Sequence, residues 1–284
     1  MCLRGPSIGQ ILILLAALVF LAASLWASDA VTSPVELDLV SENQTISPGQ
    51  PFWIGLHFDI QRNWHIYWIN AGDSGEPPRV QWDLPPGFSA GDIQWPTPER
   101  FQMDTIVDYG YHDQAVLLVP LTAPATLKPG SKVNLAANVR WLMCRNVCMP
   151  GKARVTLAVP VGQTPAMDSA VKEFFDRSRM RLPKPLPKAW KASVASRPQE
   201  FVLNIRADKS LAEARFFPLE PEQIDNSAEQ KLTPGPRGVE LRLKKSDQLL
   251  RTISALKGVL VVASNQGYFI DVPVTEAASK KPLR

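Results

Sequence analysis

The sequence predicts an all-β protein: two immunoglobulin-like β-sandwich units joined by a helix and a proline-rich linker. Three observations carry this reading. Runs of alternating apolar and polar residues recur in both halves of the chain. The clearest is Lys132–Trp141, where Val133, Leu135, Ala137, Val139 and Trp141 alternate with Lys132, Asn134, Ala136, Asn138 and Arg140. A period of two buries one face of a strand. Turn-forming clusters punctuate the runs, at Ser47-Pro48-Gly49, Gly72-Asp73-Ser74-Gly75, Pro85-Pro86-Gly87 and Lys128-Pro129-Gly130. One segment alone, beginning at Thr164-Pro165, holds a convincing helical period.

The 284 residues allow two domains of ordinary size after a leader. An apolar content of 45% and a charged content of 20% belong to a folding chain, not a disordered one. The net charge of +4 is small, and no basic block stands outside the tail, so nothing points to nucleic acid.

Residues 1–30 read as a signal peptide. Arg4 supplies a modest positive start, Ile11 to Ala23 is unbroken apolar sequence, and Ala22, Ala23, Ser24, Ala27 and Ser28 provide small residues for cleavage near Ser24 or Ala27. The competing reading is an uncleaved anchor, since Ile11–Ala27 is just long enough to span a thin bilayer. Export to the periplasm is the expectation, with a mature chain starting between residues 25 and 31.

Residues 31–163 contain seven strand candidates: Val35–Val40, Phe52–Ile60, Trp64–Trp68, Arg79–Leu84, Ala115–Leu121, Lys132–Trp141 and Arg154–Val159. Their spacing suggests the first sandwich. Six of the eight tryptophans fall here, and packing is their expected role. Residues 164–189 are the helix and linker. Thr164 is the expected cap and Pro165 the first helical residue; Met167, Val171, Phe174 and Phe175 form one apolar stripe running to about Met180. Leu182-Pro183-Lys184-Pro185-Leu186-Pro187 is a stiff connection. Residues 190–276 are a second, smaller β domain with strands at Phe201–Arg206, Ala214–Phe217, Val239–Leu243, Gly258–Ala263 and Tyr268–Val274. Residues 277–284 form a small, polar, basic tail, expected to be frayed.

Only three cysteines are present, and Cys2 lies in the leader. Cys144 and Cys148 therefore remain as an even pair between two strands, in a compartment where disulfides persist. Four residues of straight strand would hold their Cα atoms roughly 13 Å apart, against about 4.4–6.8 Å for a disulfide. If they bond, the chain must turn through Arg145-Asn146-Val147. Three roles stay open on the residues alone. A structural staple closing so short a loop removes little entropy from the unfolded chain. An exposed ring at a strand end is suited to thiol–disulfide exchange, with Arg145 available either to stabilise a thiolate or as a solvated loop charge. A third reading is Cu(I): Met143, Cys144, Cys148 and Met149 are four soft sulfur donors, although Met143 continues the apolar parity of its strand. Two thiolates are too few for a closed zinc site, and His57, His65 and His112 have no zinc spacing. His57 fits a half-exposed strand position and His65 a packing role. No phosphate-binding loop or hydrolase constellation is present, and no cofactor is expected.

Several motifs occur in fixed order: His65-Ile66-Tyr67-Trp68, Gly72-Asp73-Ser74-Gly75, Gln94-Trp95-Pro96-Thr97-Pro98-Glu99-Arg100, Asp108-Tyr109-Gly110-Tyr111, and Trp141-Leu142-Met143-Cys144 with Cys148 and Pro150. The series resembles the amino-terminal periplasmic domain of the DsbD thiol:disulfide interchange family, most nearly its suppressor-of-copper-sensitivity branch, ScsB, over residues 35–163. The second β unit looks like the domain that follows in that branch. The resemblance implies an immunoglobulin-like domain whose catalytic pair, Cys144 and Cys148, relays reducing equivalents from a membrane-embedded thiol electron carrier or thioredoxin-like protein to periplasmic substrate proteins. It brings with it the settings of copper tolerance and cytochrome c biogenesis. It also implies a cap loop that shields the pair; the matching stretch is Asp104–Tyr111, with Asp108, Tyr109 and Tyr111 as shielding residues, or else a β-turn with two packed tyrosines. The 284 residues hold no multi-span carrier and no thioredoxin-like segment, so a free-standing chain is expected either to meet a separate membrane partner or to do something other than relay electrons.

Overall fold

The computed structural model describes residues 33–276; the expected leader and its cleavage sites, and the tail 277–284, lie outside the described residues. Residues 34–276 belong to one compact unit, built on two main apolar cores and one smaller cluster.

The first β unit contains ten strands: β1 (Val35–Ser41), β2 (Pro51–Ile60), β3 (His65–Gly72), β4 (Arg79–Asp83), β5 (Ser89–Ala90), β6 (Glu99–Met103), β7 (Ile106–Tyr111), β8 (Gln114–Thr122), β9 (Lys132–Cys144) and β10 (Cys148–Pro160). They form a sheet in the order β1-β2-β8-β5 and a second in the order β10-β9-β3-β7-β6, with β4 also paired to β9. The period of two is what closes the sandwich. Ile54, Leu56 and Phe58 on β2 are fully buried and share one core with Leu135, Ala137, Val139 and Trp141 on β9. The edge of the Phe58 ring meets the Trp141 indole at 5.6 Å.

All seven expected strands are present, and β5, β6 and β7 are additional. Strand β7 escapes a search for alternation because Val107 to Tyr111 are buried on both faces. It lies inside its sheet, between β3 and β6, and Tyr109 also packs against Phe217 of the second β unit.

Helix α1 spans Ser169–Met180, not Pro165–Met180. Asp168 is the cap in place of Thr164: its carboxylate accepts from the amides of Ala170 and Val171, satisfying donors that the first turn leaves free. The preceding residues are held extended, because Ala166 pairs with Thr45 and donates its amide to the Thr45 hydroxyl. Met167 consequently falls before the helix and is exposed. The rest of the stripe works as expected. Phe175 is fully buried against Val116 and Leu118 on the outer face of β8, with Val171 and Phe174 beside it. Arg179 fastens the helix by a two-pronged bond to Glu42, both contacts at 2.7 Å.

The linker is tied down at Lys184–Pro185 (β11), which pairs with Tyr268 and Phe269. The second β unit then has β12 (Lys191–Ser196), β13 (Glu200–Arg206), β14 (Ala214–Pro218), β15 (Lys231–Gly235), β16 (Gly238–Lys244), β17 (Ala255–Val262) and β18 (Gln266–Glu276). Their pairing is continuous in the order β14-β17-β18-β12-β13-β16-β15. The sheet folds over on itself, since Phe216 and Leu260 share a core with Leu203 and Leu241 from strands distant in that order. The two β units meet directly: Phe217 and Val259 enter the first core, and the Asn70 amide donates to the Pro218 carbonyl at 2.8 Å.

Candidate functional site

Strands β9 and β10 form one long hairpin whose register pairs Cys144 directly with Cys148, Leu142 with Pro150 and Arg140 with Lys152. The strands therefore run up to the cysteines, further than their alternation suggested. Arg145-Asn146-Val147 makes the turn and brings the two Cα atoms to 4.1 Å, with a disulfide between the sulfurs. The two partners differ in access. Cys144 is completely buried, whereas Cys148 is exposed. Val147, next to Cys148, is 65% exposed, an apolar side chain presented at the tip. The guanidinium of Arg145 lies over the Trp64 ring at 5.2 Å, so its charge is engaged by an aromatic face.

Behind the buried sulfur stands Tyr67. Its hydroxyl donates to Cys144 Sγ at 2.8 Å and lies 3.6 Å from Cys148 Sγ. Burial pushes the phenol up to about 12, which keeps it a donor at neutral pH. The ring reaches this place because residue 75 is glycine in the left-handed region, at φ +79°; a Cβ there would lie 2.1 Å from Tyr67 Cζ. The next residue back, Ser74, donates its amide and hydroxyl to the carboxylate of Asp108, each at 2.9 Å. Asp108 is itself buried, which raises its carboxyl above the usual range, while the Ser74 bonds pull the other way. His65 Nε2 is 3.9 Å from Asp108 Oδ2. Burial lowers this imidazole to about 4, so it is neutral at physiological pH and the contact is not an ion pair there. His65 also pairs in register with Cys144, and the Phe101 ring stacks on it at 4.8 Å.

The expected shielding residues take different places. Asp108, Tyr109 and Tyr111 belong to buried strand β7, not to a surface loop. Tyr109 donates to Asn226 Oδ1 and Tyr111 to the Pro96 carbonyl, so both hydroxyls are committed away from the cysteines. Asp108 joins the site through Ser74 and Tyr67. The aromatic cover beside Cys144 comes from Tyr67, His65 and, from β6, Phe101, three residues to the amino-terminal side of the expected stretch. Tyr67 and His65 stood in the opening motif of the resemblance; their contact with the sulfur is a matter of strand register, which no motif displays.

The Cu(I) arrangement does not assemble. Neighbours on a strand point to opposite faces, so Met143 and Met149, which pair across the hairpin, lie on the face opposite Cys144 and Cys148. Met143 is buried in the first core, with Met149 packed against that core. The four sulfurs are divided two and two by the sheet.

Residues 36–160 match the family model described as thiol:disulfide interchange protein DsbD, N-terminal. Among solved structures, the N-terminal periplasmic domain of ScsB from Proteus mirabilis superposes with a TM-score of 0.66 at 14% identity, covering 89% of this chain and 98% of that one. The YadV chaperone reaches a TM-score of only 0.23 at 9% identity, over 83% of this chain and 99% of its own. No curated protein matches the sequence. Among the described residues, no helix is long and apolar enough to cross a membrane.

Proposed function

We propose, from the premise that residues 36–160 are an amino-terminal domain of the DsbD thiol:disulfide interchange family, that this protein exchanges reducing equivalents with periplasmic partners through Cys144 and Cys148. One observation carries the reading: the disulfide presents an exposed cysteine to solvent while its buried partner already accepts a hydrogen bond from Tyr67.

Exchange follows from this asymmetry. A partner thiolate attacks the accessible sulfur, that of Cys148. A partner–Cys148 disulfide forms as the Cys144–Cys148 bond breaks, and the electron pair leaves on Cys144 Sγ. The Tyr67 hydroxyl is in place to stabilise that thiolate. A better-stabilised leaving thiolate departs faster. A second partner thiolate then attacks the partner sulfur of the mixed disulfide, releasing Cys148 as a thiolate and the partner as a disulfide. In the opposite direction the Cys148 thiolate attacks a substrate disulfide and Cys144 resolves the intermediate. Asp108, whose carboxylate accepts from Ser74 and neighbours Tyr67, helps hold the Tyr67 hydroxyl in place beside Cys144. The electron donor in this scheme is a membrane-embedded thiol carrier or a thioredoxin-like protein, and the acceptors are periplasmic disulfide proteins.

Equilibration in glutathione or dithiothreitol buffers, followed by thiol alkylation and mass analysis, tests the reading. Stable structural disulfides sit below about −300 mV, and exposed exchange-active ones above it. A midpoint above about −300 mV is expected; one well below it makes the pair a staple.

A further inference from the structure

We propose that the outer face of the β9–β10 hairpin is a docking track for an extended, acidic segment of the redox partner. The inference rests on the exchange reading above and specifies what the partner carries. Successive cross-strand pairs on this face are Cys144–Cys148, Leu142–Pro150 and Arg140–Lys152. Beside them lies a cleft of about 490 Å³ whose lining includes Leu142, Pro150, Arg140, Lys152 and Arg79. Leading away from the disulfide, the track is thus apolar for one step and cationic at the next.

The cations are crowded in a way that needs an explanation. Arg140 is paired directly with Lys152 on one side and with Arg79 on the other. Like charges placed opposite one another weaken a sheet. The one carboxylate in the lining, Glu76, is 3.6 Å from Arg79, with both side chains 67% exposed, and such a pair is worth little. An anionic segment laid along the face relieves the repulsion.

The spacing defines the ligand. Arg140 is four residues from Cys144 along the strand, roughly 13 Å at strand rise. An extended partner segment whose cysteine sits at Cys148 therefore carries an apolar residue about two positions from that cysteine and a carboxylate about four residues away.

Reduced full-length protein is mixed with synthetic peptides whose cysteine is activated as a 2-pyridyl disulfide, and release of thiopyridone is followed. One peptide pair bears Glu four residues before or after the cysteine; matched peptides bear Gln or Lys at those positions. At low salt, at least one Glu peptide should react about three- to tenfold faster than its Gln counterpart, and its Lys counterpart more slowly. Added salt should erase the difference, and the double variant Arg140→Glu, Lys152→Glu should reverse the order while reacting normally with the Gln peptide. Equal rates for Glu, Gln and Lys peptides in the wild-type protein overturn the docking track and leave exchange intact. No reaction with any peptide overturns the exchange reading and the track together.

Discussion

The hydroxyl of Tyr67 donates to Cys144 Sγ at 2.8 Å inside a fully buried site. A hydrogen bond to a thiolate favours the charged form, so it lowers the thiol's pKa and improves Cys144 as a leaving group. Tyr67→Phe keeps the ring over Gly75 and removes only the donor. Bonds to charged groups contribute about 1.5–3 kcal/mol, so the Cys144 thiol should rise by about one unit or more. Reduction of the disulfide by a small thiol should slow about tenfold. Thiolate absorbance against pH and stopped-flow reduction measure the two effects; an unchanged thiol pKa would show that the hydrogen bond is only structural.

His65 makes a distinct prediction about acid. Its imidazole falls from 6.5 to about 4 on burial, so between those values the unfolded chain binds a proton that the folded chain does not. Stability is therefore complete above about pH 6.5 and declines as pH falls toward 4. The full loss is on the order of 3 kcal/mol for this group. Asp108 acts with the opposite sign, because its raised carboxyl favours the folded state once protonated. Urea unfolding at pH 7 and pH 4.5 should show a marked drop for the wild-type protein. His65→Phe, which preserves stacking on Phe101, should show a smaller one. Asp108→Asn should make the wild-type drop steeper.

Helix α1 is secured at its carboxyl-terminal end by Arg179, whose guanidinium bonds both oxygens of Glu42 and lies over Trp53 and Phe175 at 5.6 and 5.7 Å. Glu42 is buried. Arg179→Met keeps some of the packing but leaves the carboxylate unpaired, at a cost of about 2 kcal/mol. The double variant Arg179→Met, Glu42→Gln should recover part of that loss. Denaturant midpoints at pH 7 decide between a working pair and a solvent contact without energetic weight.

The fold was largely legible because its main strands have one wet face. Lys132–Trp141 and Phe52–Ile60 express their period of two, and Cys144 with Cys148 stood out as the only pair available. Strand β7 was not legible, because both of its faces are covered and alternation vanishes. The helix start was misplaced because a tertiary contact, Thr45 with Ala166, holds extended the residues that local propensity assigns to the first turn. Asp108 was singled out, but its route to the site through Ser74 and Tyr67 depends on β3 and β7 being neighbours. Burial of Cys144 against exposure of Cys148 is likewise a property of the assembled sandwich. Both cysteines lie on one face of a hairpin, so strand parity cannot separate them.

That difference in burial assigns the order of events at the disulfide. A macromolecular thiolate or disulfide must approach Cys148, because Cys144 has no exposed surface and is backed by Tyr67. In Cys144→Ala, Cys148 keeps its access and loses its resolving partner, so a mixed disulfide with a partner protein should persist. In Cys148→Ala, the remaining thiol is enclosed and should trap little. Incubation of each variant with an oxidised periplasmic extract, quenching by alkylation and non-reducing electrophoresis give the comparison directly. Cys144→Ala should yield at least about tenfold more adduct, the scale expected when access controls exchange. Reduction with dithiothreitol should release it. Equal trapping by both variants would place the attacking sulfur at either position and remove the role assigned to burial. Trapping by Cys148→Ala alone would reverse the assignment and require the Tyr67 side of the site to open before reaction. If neither variant captures any protein, the pair does not exchange with periplasmic partners and the disulfide is a staple.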